Sequence, residues 1–102
     1  MSGLYKKGKS RRHGGYVVYL VRCADGSYYA GSTNSLEARI ALHNAGSGAK
    51  YVRGRRPVHV VYVKQYRDYQ RAMQAEWAVK RLTRKQKEVL VNLYARCRNG
   101  MA

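Results

Sequence analysis

The apolar and polar positions of the chain change period several times, and each change marks an element. Tyr16 to Arg22 (YVVYLVR) is rich in β-branched and aromatic residues and predicts a strand. Ser27 to Thr33 (SYYAGST) predicts a second. Between them, Ala24, Asp25 and Gly26 suit a three-residue hairpin with Gly26 in the left-handed region. That register places Tyr19 opposite Gly31 and Tyr29 opposite Val21, so that Tyr19 and Tyr29 share a face. A two-residue Asp-Gly turn would instead bring Tyr28 to the face of Tyr19, and the three-residue loop is preferred.

A helix is predicted next, from about Ser35 to Ala45. Asn34 is a good N-cap, Glu37 three residues on completes a capping box, and Gly46 stops the helix. Gly46 to Pro57 reads as a loop that carries Lys50, Arg53, Arg55 and Arg56 among glycines, and Val58 to Lys64 as a third strand. Asp68 caps a helix running to about Leu82, and Thr83 with Gln86 opens a last helix that extends towards Cys97. The order ββαβαα predicts an α+β domain with a small antiparallel sheet. Residues 1–14 are rich in Gly, Ser, Lys and Arg and lack apolar period, which predicts a disordered basic arm with nonspecific phosphate affinity. A nuclear-localisation role for Lys6 to Arg12 is the weaker reading of that run. The domain then spans 15–98, with a short tail over 99–102.

Composition narrows the class. A chain of 102 residues with 45% hydrophobic and 25% charged residues is a single globular domain with one modest core. No apolar run is long enough for a membrane span, and no apolar segment of a signal peptide follows the basic N-terminus. Cys23 and Cys97 lie far apart without metal-ligand spacing, which predicts idle thiols in a reducing compartment, the cytoplasm.

Charge changes the picture most. Twenty-one Lys and Arg face five Asp and Glu, a formal net charge of +16. Self-repulsion on that scale costs stability, so an anionic partner is expected, and nucleic acid leads. An anionic membrane surface is the alternative, but no helix pairs a basic face with a broad apolar one.

With so few acids, each can be audited. Asp25 belongs to the hairpin, Glu37 to a capping box, Asp68 to an N-cap, and Glu88 lies among Arg84, Lys85 and Lys87. Glu76 alone has no terminal role, and it sits at the edge of the buried stripe of its helix. It has two readings: an i,i+4 ion pair with Lys80, or a lone carboxylate that holds a divalent cation completed by water and phosphate oxygens. Arg39 and His43, four residues apart, project from one side of the first helix. A solvated face is the common explanation of such a pair. The other is that Arg39 braces a scissile phosphate while His43 binds phosphate or moves a proton. Ten tyrosines stand beside no phenylalanine, and most are expected in the core with a wet hydroxyl.

These residues fall in a known pattern. Val17-Val18-Tyr19, then Tyr29-Ala30-Gly31, then Leu36-Glu37-Ala38-Arg39 leading to His43, and finally Glu76 resemble the GIY-YIG nucleases in order and spacing. Gly46 to Tyr51, Arg53 to Pro57 and Leu82 to Glu88 resemble the stand-alone bacterial branch of that family. Val17 and Val18 stand where the family has glycine and isoleucine, and Ala30 where it has isoleucine. The resemblance implies a three-stranded antiparallel sheet flanked by helices and hydrolysis at a single divalent metal. It implies that Glu76 binds Mg²⁺ or Mn²⁺ and that Tyr19 acts as general base. Arg39 would stabilise the transition state, with Tyr29 and His43 orienting phosphate or water. Gly31 would admit a close approach of backbone or phosphate. The family's asparagine after the metal-binding glutamate has Asn92 as its nearest counterpart.

Two functions follow. The first is a metal-dependent endonuclease on single-stranded or branched DNA, in repair or recombination, with Lys50, Arg53, Arg55 and Arg56 binding nucleic acid and a protein partner supplying specificity. The second is a noncatalytic basic adaptor that holds DNA or RNA.

Overall fold

The fold was obtained as a computed structural model of the protein, which describes residues 15–98. The basic arm expected over 1–14 and the tail over 99–102 lie outside the described residues. Strands β1 (Tyr16–Arg22), β2 (Tyr28–Thr33) and β3 (His59–Tyr66) form one antiparallel sheet in the order β2-β1-β3. The helices are α1 (Leu36–Ala45), the one-turn α2 (Lys50–Arg53), α3 (Tyr69–Lys80) and α4 (Arg84–Arg98). The α+β architecture and the order of strands and long helices are those expected from the sequence pattern.

The β1–β2 hairpin closes as the three-residue turn requires. Cys23 and Ser27 bracket it through Cys23 N–H donating to Ser27 O at 2.8 Å, and Gly26 has φ +86°. Tyr19 pairs with Gly31 and Val21 with Tyr29. Alternation then sorts the side chains to two faces. Val18, Leu20 and Ala30 pack on Ala72 and Val79 of α3, with Leu90 and Val91 of α4 alongside. Tyr19 and Val21 pack with Val52 and Val58, beside Leu36 and Ile40 of α1. A bulge shifts the β1–β3 register between Leu20 and Val21, so the consecutive residues Val61 and Tyr62 both pack on the α3 side.

Three local expectations are corrected. The N-cap of α1 is Ser35, not Asn34, because Thr33 Oγ1 accepts the Ser35 N–H at 3.0 Å and turns the chain before the helix starts. The loop after Gly46 contains α2, a single turn held down by Val52, which is fully buried. β3 runs on to Tyr66, where it pairs with Tyr16. The Asn34–Glu37 capping box falls with the Asn34 cap, and Glu37 remains only as an acid in the first turn of α1, while the other caps hold. Gly46 ends α1 at φ +88°, a region a side chain would strain. Asp68 accepts from Arg71 N–H at 2.8 Å, and Thr83 and Gln86 exchange bonds at 2.9 and 3.1 Å.

The two caps give a matched test of these assignments. Asp68→Ala removes a bonded cap and is expected to cost about 1 kcal/mol in urea denaturation. Ser35→Ala removes a hydroxyl that makes no capping bond, and is expected to stay within about 0.5 kcal/mol. Equal losses would mean that the cap bonds are not what starts these helices.

Candidate active site

β2 is an edge strand, and side chains from α1 and α3 line a cleft beside it. On the α1 side, Tyr19 and His43 are buried and joined by a hydrogen bond of 2.9 Å between Tyr19 Oη and His43 Nε2. Gly31, the cross-strand partner of Tyr19, makes room for this arrangement: a Cβ there would lie 2.5 Å from the phenol oxygen. The space left by the missing side chain is thus filled by Tyr19 itself. Gly48 closes the other side of the imidazole, where a Cβ would collide with His43 Nδ1. Nδ1 has no hydrogen-bond partner. Tyr29 sets its ring edge-on to His43, with centroids 5.6 Å apart, and lies nearly parallel to Tyr51 at 5.9 Å.

On the α3 side stands Glu76. Ser32 donates to Glu76 Oε1 at 2.5 Å, and Lys80 Nζ lies 2.9 Å from Oε2. Ser32 projects to this face because it follows Gly31 on β2, one alternation away from the Tyr19 side. Arg39 reaches across from α1, with Nη1 3.4 Å from the Ser32 carbonyl. The two sides meet in an open cleft of about 420 Å³ whose wall includes Tyr29, Gly31, Ser32, Arg39 and Glu76. Tyr19 and His43 lie directly behind that wall.

Burial dominates the titration of the inner pair. It pushes the Tyr19 hydroxyl up to about 12, with neighbouring Tyr29 adding to the rise, while the Arg39 guanidinium pulls the other way. Burial, and then Arg39, hold His43 below the ordinary 6.5. At neutral pH the pair is therefore a phenol against a neutral imidazole. Lys80 is raised, first by its hydrogen bond to Glu76.

All five residues singled out for chemistry in the sequence, Tyr19, Tyr29, Arg39, His43 and Glu76, come together at the β2 edge. The basic residues after α1 are differently employed. Arg53 donates to Gly48 O at 3.2 Å, and Arg56 to Arg53 O and Asn44 O at 3.0 and 3.4 Å. Arg55 bonds Tyr51 O at 2.6 Å and pairs with Asp25 at 3.0 Å, while its guanidinium covers the Tyr51 ring at 3.9 Å. Each of these arginines ties down the loop with part of its fork, and exposed Lys50 stands at the start of α2. Asn92 lies on α4 in a separate groove with Val89, Leu93 and Arg96. Ser32 and Tyr51 were not legible in the sequence as site residues. Neither type nor spacing marks them, since Ser32 meets Glu76 across 44 residues of chain.

Glu76 is the carboxylate that the cleft offers to a divalent metal. Among the described residues no three His, Cys, Asp or Glu side chains gather in one place. One carboxylate on the wall of an open cleft does fit a hard cation that keeps waters and takes its remaining ligands from phosphate.

A family model described as the GIY-YIG catalytic domain matches residues 15–89. A UPF0213 protein of Bacillus cereus is 59% identical over 73 residues, covering 72% of this chain and 76% of the relative. One of Halobacterium salinarum is 47% identical over 73 residues, covering 72% of this chain and 95% of its own. Among solved structures, the solution NMR structure of the UPF0213 protein BH0048 from Bacillus halodurans superposes with a TM-score of 0.51 at 43% identity, over 78% of this chain and 84% of that one. The solution NMR structure of protein EF2693 from E. faecalis gives 0.55 at 38% identity, over 79% and 86%.

The neutral imidazole gives a pH test. Its native value lies below the 6.5 of the unfolded chain, so between the two the unfolded state binds more protons and stability rises with pH. The contribution is complete above about 6.5 and is lost as pH falls towards the native value. The unfolding temperature of the wild type should drop across this window, and that of His43→Asn should drop less steeply. Parallel curves would show that burial does not hold this ring neutral.

Proposed function

We propose, from the premise that this chain belongs to the GIY-YIG catalytic-domain family, that it is a divalent-metal-dependent endonuclease of DNA. The observation that carries the proposal is the meeting of Glu76, Arg39 and Tyr29 on one open cleft with the Tyr19–His43 pair behind it. The substrates it fits are single-stranded or branched, as met in repair or recombination, because an open cleft at a sheet edge admits a strand that can bend.

Each residue has a chemical part. Glu76, oriented by the Ser32 hydroxyl, would hold Mg²⁺ or Mn²⁺. When bound, the ion supplies Lewis acidity to the phosphate and charge stabilisation to the leaving oxygen. Arg39 offers the N–H groups of its fork to the non-bridging oxygens as negative charge builds. Tyr29 and Gly31 shape the wall against which the phosphate rests. Tyr19 would act as general base on the attacking water, directly once the wall gives way at this buried phenol or through hydrogen bonding. Its own proton passes in the same step to His43 Nε2, 2.9 Å away. A phenol held up to about 12 loses its proton only in such a concerted step, and the neutral imidazole is in the state to receive it.

Outside the cleft, Arg22 and Arg84 cover the Tyr28 ring at 5.4 and 5.1 Å, and Lys50 stands near the loop arginines. This surface, with the formal charge of +16, would bind backbone phosphates without reading bases. A protein partner would then supply sequence or structure preference, and the cytoplasm is the compartment that suits free Cys23 and Cys97.

Two measurements test the reading. Labelled single-stranded and branched DNA with Mg²⁺ or Mn²⁺ should be cut by the wild type. Activity should fall by about two orders of magnitude or more in Glu76→Ala and in Tyr19→Phe, with binding retained. Binding without cleavage on every substrate would favour the noncatalytic adaptor. Separately, affinity should fall by roughly 10³–10⁵ between 50 and 200 mM salt if about 6–10 phosphates are neutralised. A flat salt profile would mean that the basic surface is not the docking face.

A further inference from the structure

Both oxygens of Glu76 are engaged, and the two partners differ in kind. Oε1 accepts from the neutral Ser32 hydroxyl at 2.5 Å, and Oε2 faces the Lys80 ammonium at 2.9 Å. Ser32 can stay when a cation binds, because a carboxylate offers about four lone-pair positions. Lys80 cannot stay on equal terms. An ammonium and a divalent ion on one carboxylate repel twice as strongly as two unit charges at the same separation. The carboxylate is the fixed member of the pair, with its side chain 18% exposed, and the ammonium is the movable one, on a side chain 49% exposed.

We propose that Lys80 is an internal competitor for the divalent cation at Glu76, which leaves Oε2 when the ion binds and re-pairs with a phosphate oxygen of the nucleic acid in the cleft. The inference rests on the nuclease reading above and adds to it an order of events. Of the four other acids, three are already paired, and the fourth, Glu37, lies in the first turn of α1. Asp25 is paired with Arg55, Asp68 with Arg71 and Glu88 with Arg84. A phosphate in the cleft restores what Lys80 loses, because Nζ already lies 5.9 Å from the centre of the Tyr29 ring on the cleft wall. The ammonium is a point charge on a flexible four-carbon stem, suited to exchange one anion for another. Metal loading is thereby coupled to substrate: the ion binds weakly to the protein alone and tightly once polyanion is present. Lys80 is in this sense a positioning residue. An ordinary i,i+4 ion pair would steady α3 and leave metal affinity alone.

The experiment titrates Mn²⁺ into the full chain and follows free ion by electron paramagnetic resonance. It is run with and without a hydrolysis-resistant phosphorothioate oligonucleotide, after subtraction of ion bound by the oligonucleotide alone. Without oligonucleotide, Lys80→Met should bind Mn²⁺ about tenfold more tightly than wild type, and Lys80→Arg, which keeps the charge, should match wild type. Oligonucleotide should tighten Mn²⁺ binding about tenfold in wild type and less than about threefold in Lys80→Met. Glu76→Gln should remove the site. Lys80→Gln repeats the measurement in case the methionine variant unfolds. A folded Lys80→Met or Lys80→Gln that binds Mn²⁺ within about twofold of wild type, or not at all, overturns the proposal. So does unchanged binding in Glu76→Gln. If the coupling is found and no substrate is cut, the inference stands and the hydrolytic reading falls.

Discussion

The pairing of Tyr19 with Gly31 across β1 and β2 is the constraint on which the site depends. Strand side chains alternate, so a slip of one residue would carry Tyr19 to the α3 face and Ser32 to the α1 face. In the observed register, the phenol of Tyr19 lies over a position that has no side chain and reaches His43 on α1. Ser32, one residue further along β2, then points the other way and meets Glu76 on α3. One hairpin thus distributes the two halves of the site to two layers, and its free edge brings them together again.

The second governing fact is electrostatic. A chain with twenty-one cationic side chains and five acids spends its acids sparingly. Four of the five serve turns, helix starts or surface pairs. The fifth, Glu76, is set between a hydroxyl and an ammonium at the mouth of the cleft. Inside, burial pushes Tyr19 up despite Arg39, and burial together with Arg39 keeps His43 neutral. The surface is arranged to attract a polyanion, while the interior is arranged to hold two protons where they are until something moves them.

Where local chemistry decides structure, the sequence was legible. The Ala24-Asp25-Gly26 loop specified the hairpin register, and the Asp68 and Thr83–Gln86 caps placed α3 and α4. Expectation and structure parted where another contact, near or far along the chain, competed. Asn34 has the right type for a cap, but the Thr33 hydroxyl takes the next amide and starts α1 one residue later. Gly46 to Pro57 looks like a loop by composition, yet Val52 docks in the core and winds one turn around itself. The bulge in β3 has no local signal, because it answers to the packing of Val61 and Tyr62 on α3 and α4.

The site divides the same way. Residue types and short spacings could be read from the chain directly: Arg39 and His43 on one helical side, Lys80 one turn beyond Glu76, and Tyr19 and Tyr29 on one strand face. Helix and strand periods fix such relations within an element or across a tight turn. The hydrogen bonds from Tyr19 to His43 and from Ser32 to Glu76, which span 24 and 44 residues, came only with the tertiary structure. So did the internal duties of Arg53, Arg55 and Arg56, whose charge was visible but whose carbonyl partners were not. Contacts between elements depend on how layers pack, and packing is a property of the whole core rather than of any segment.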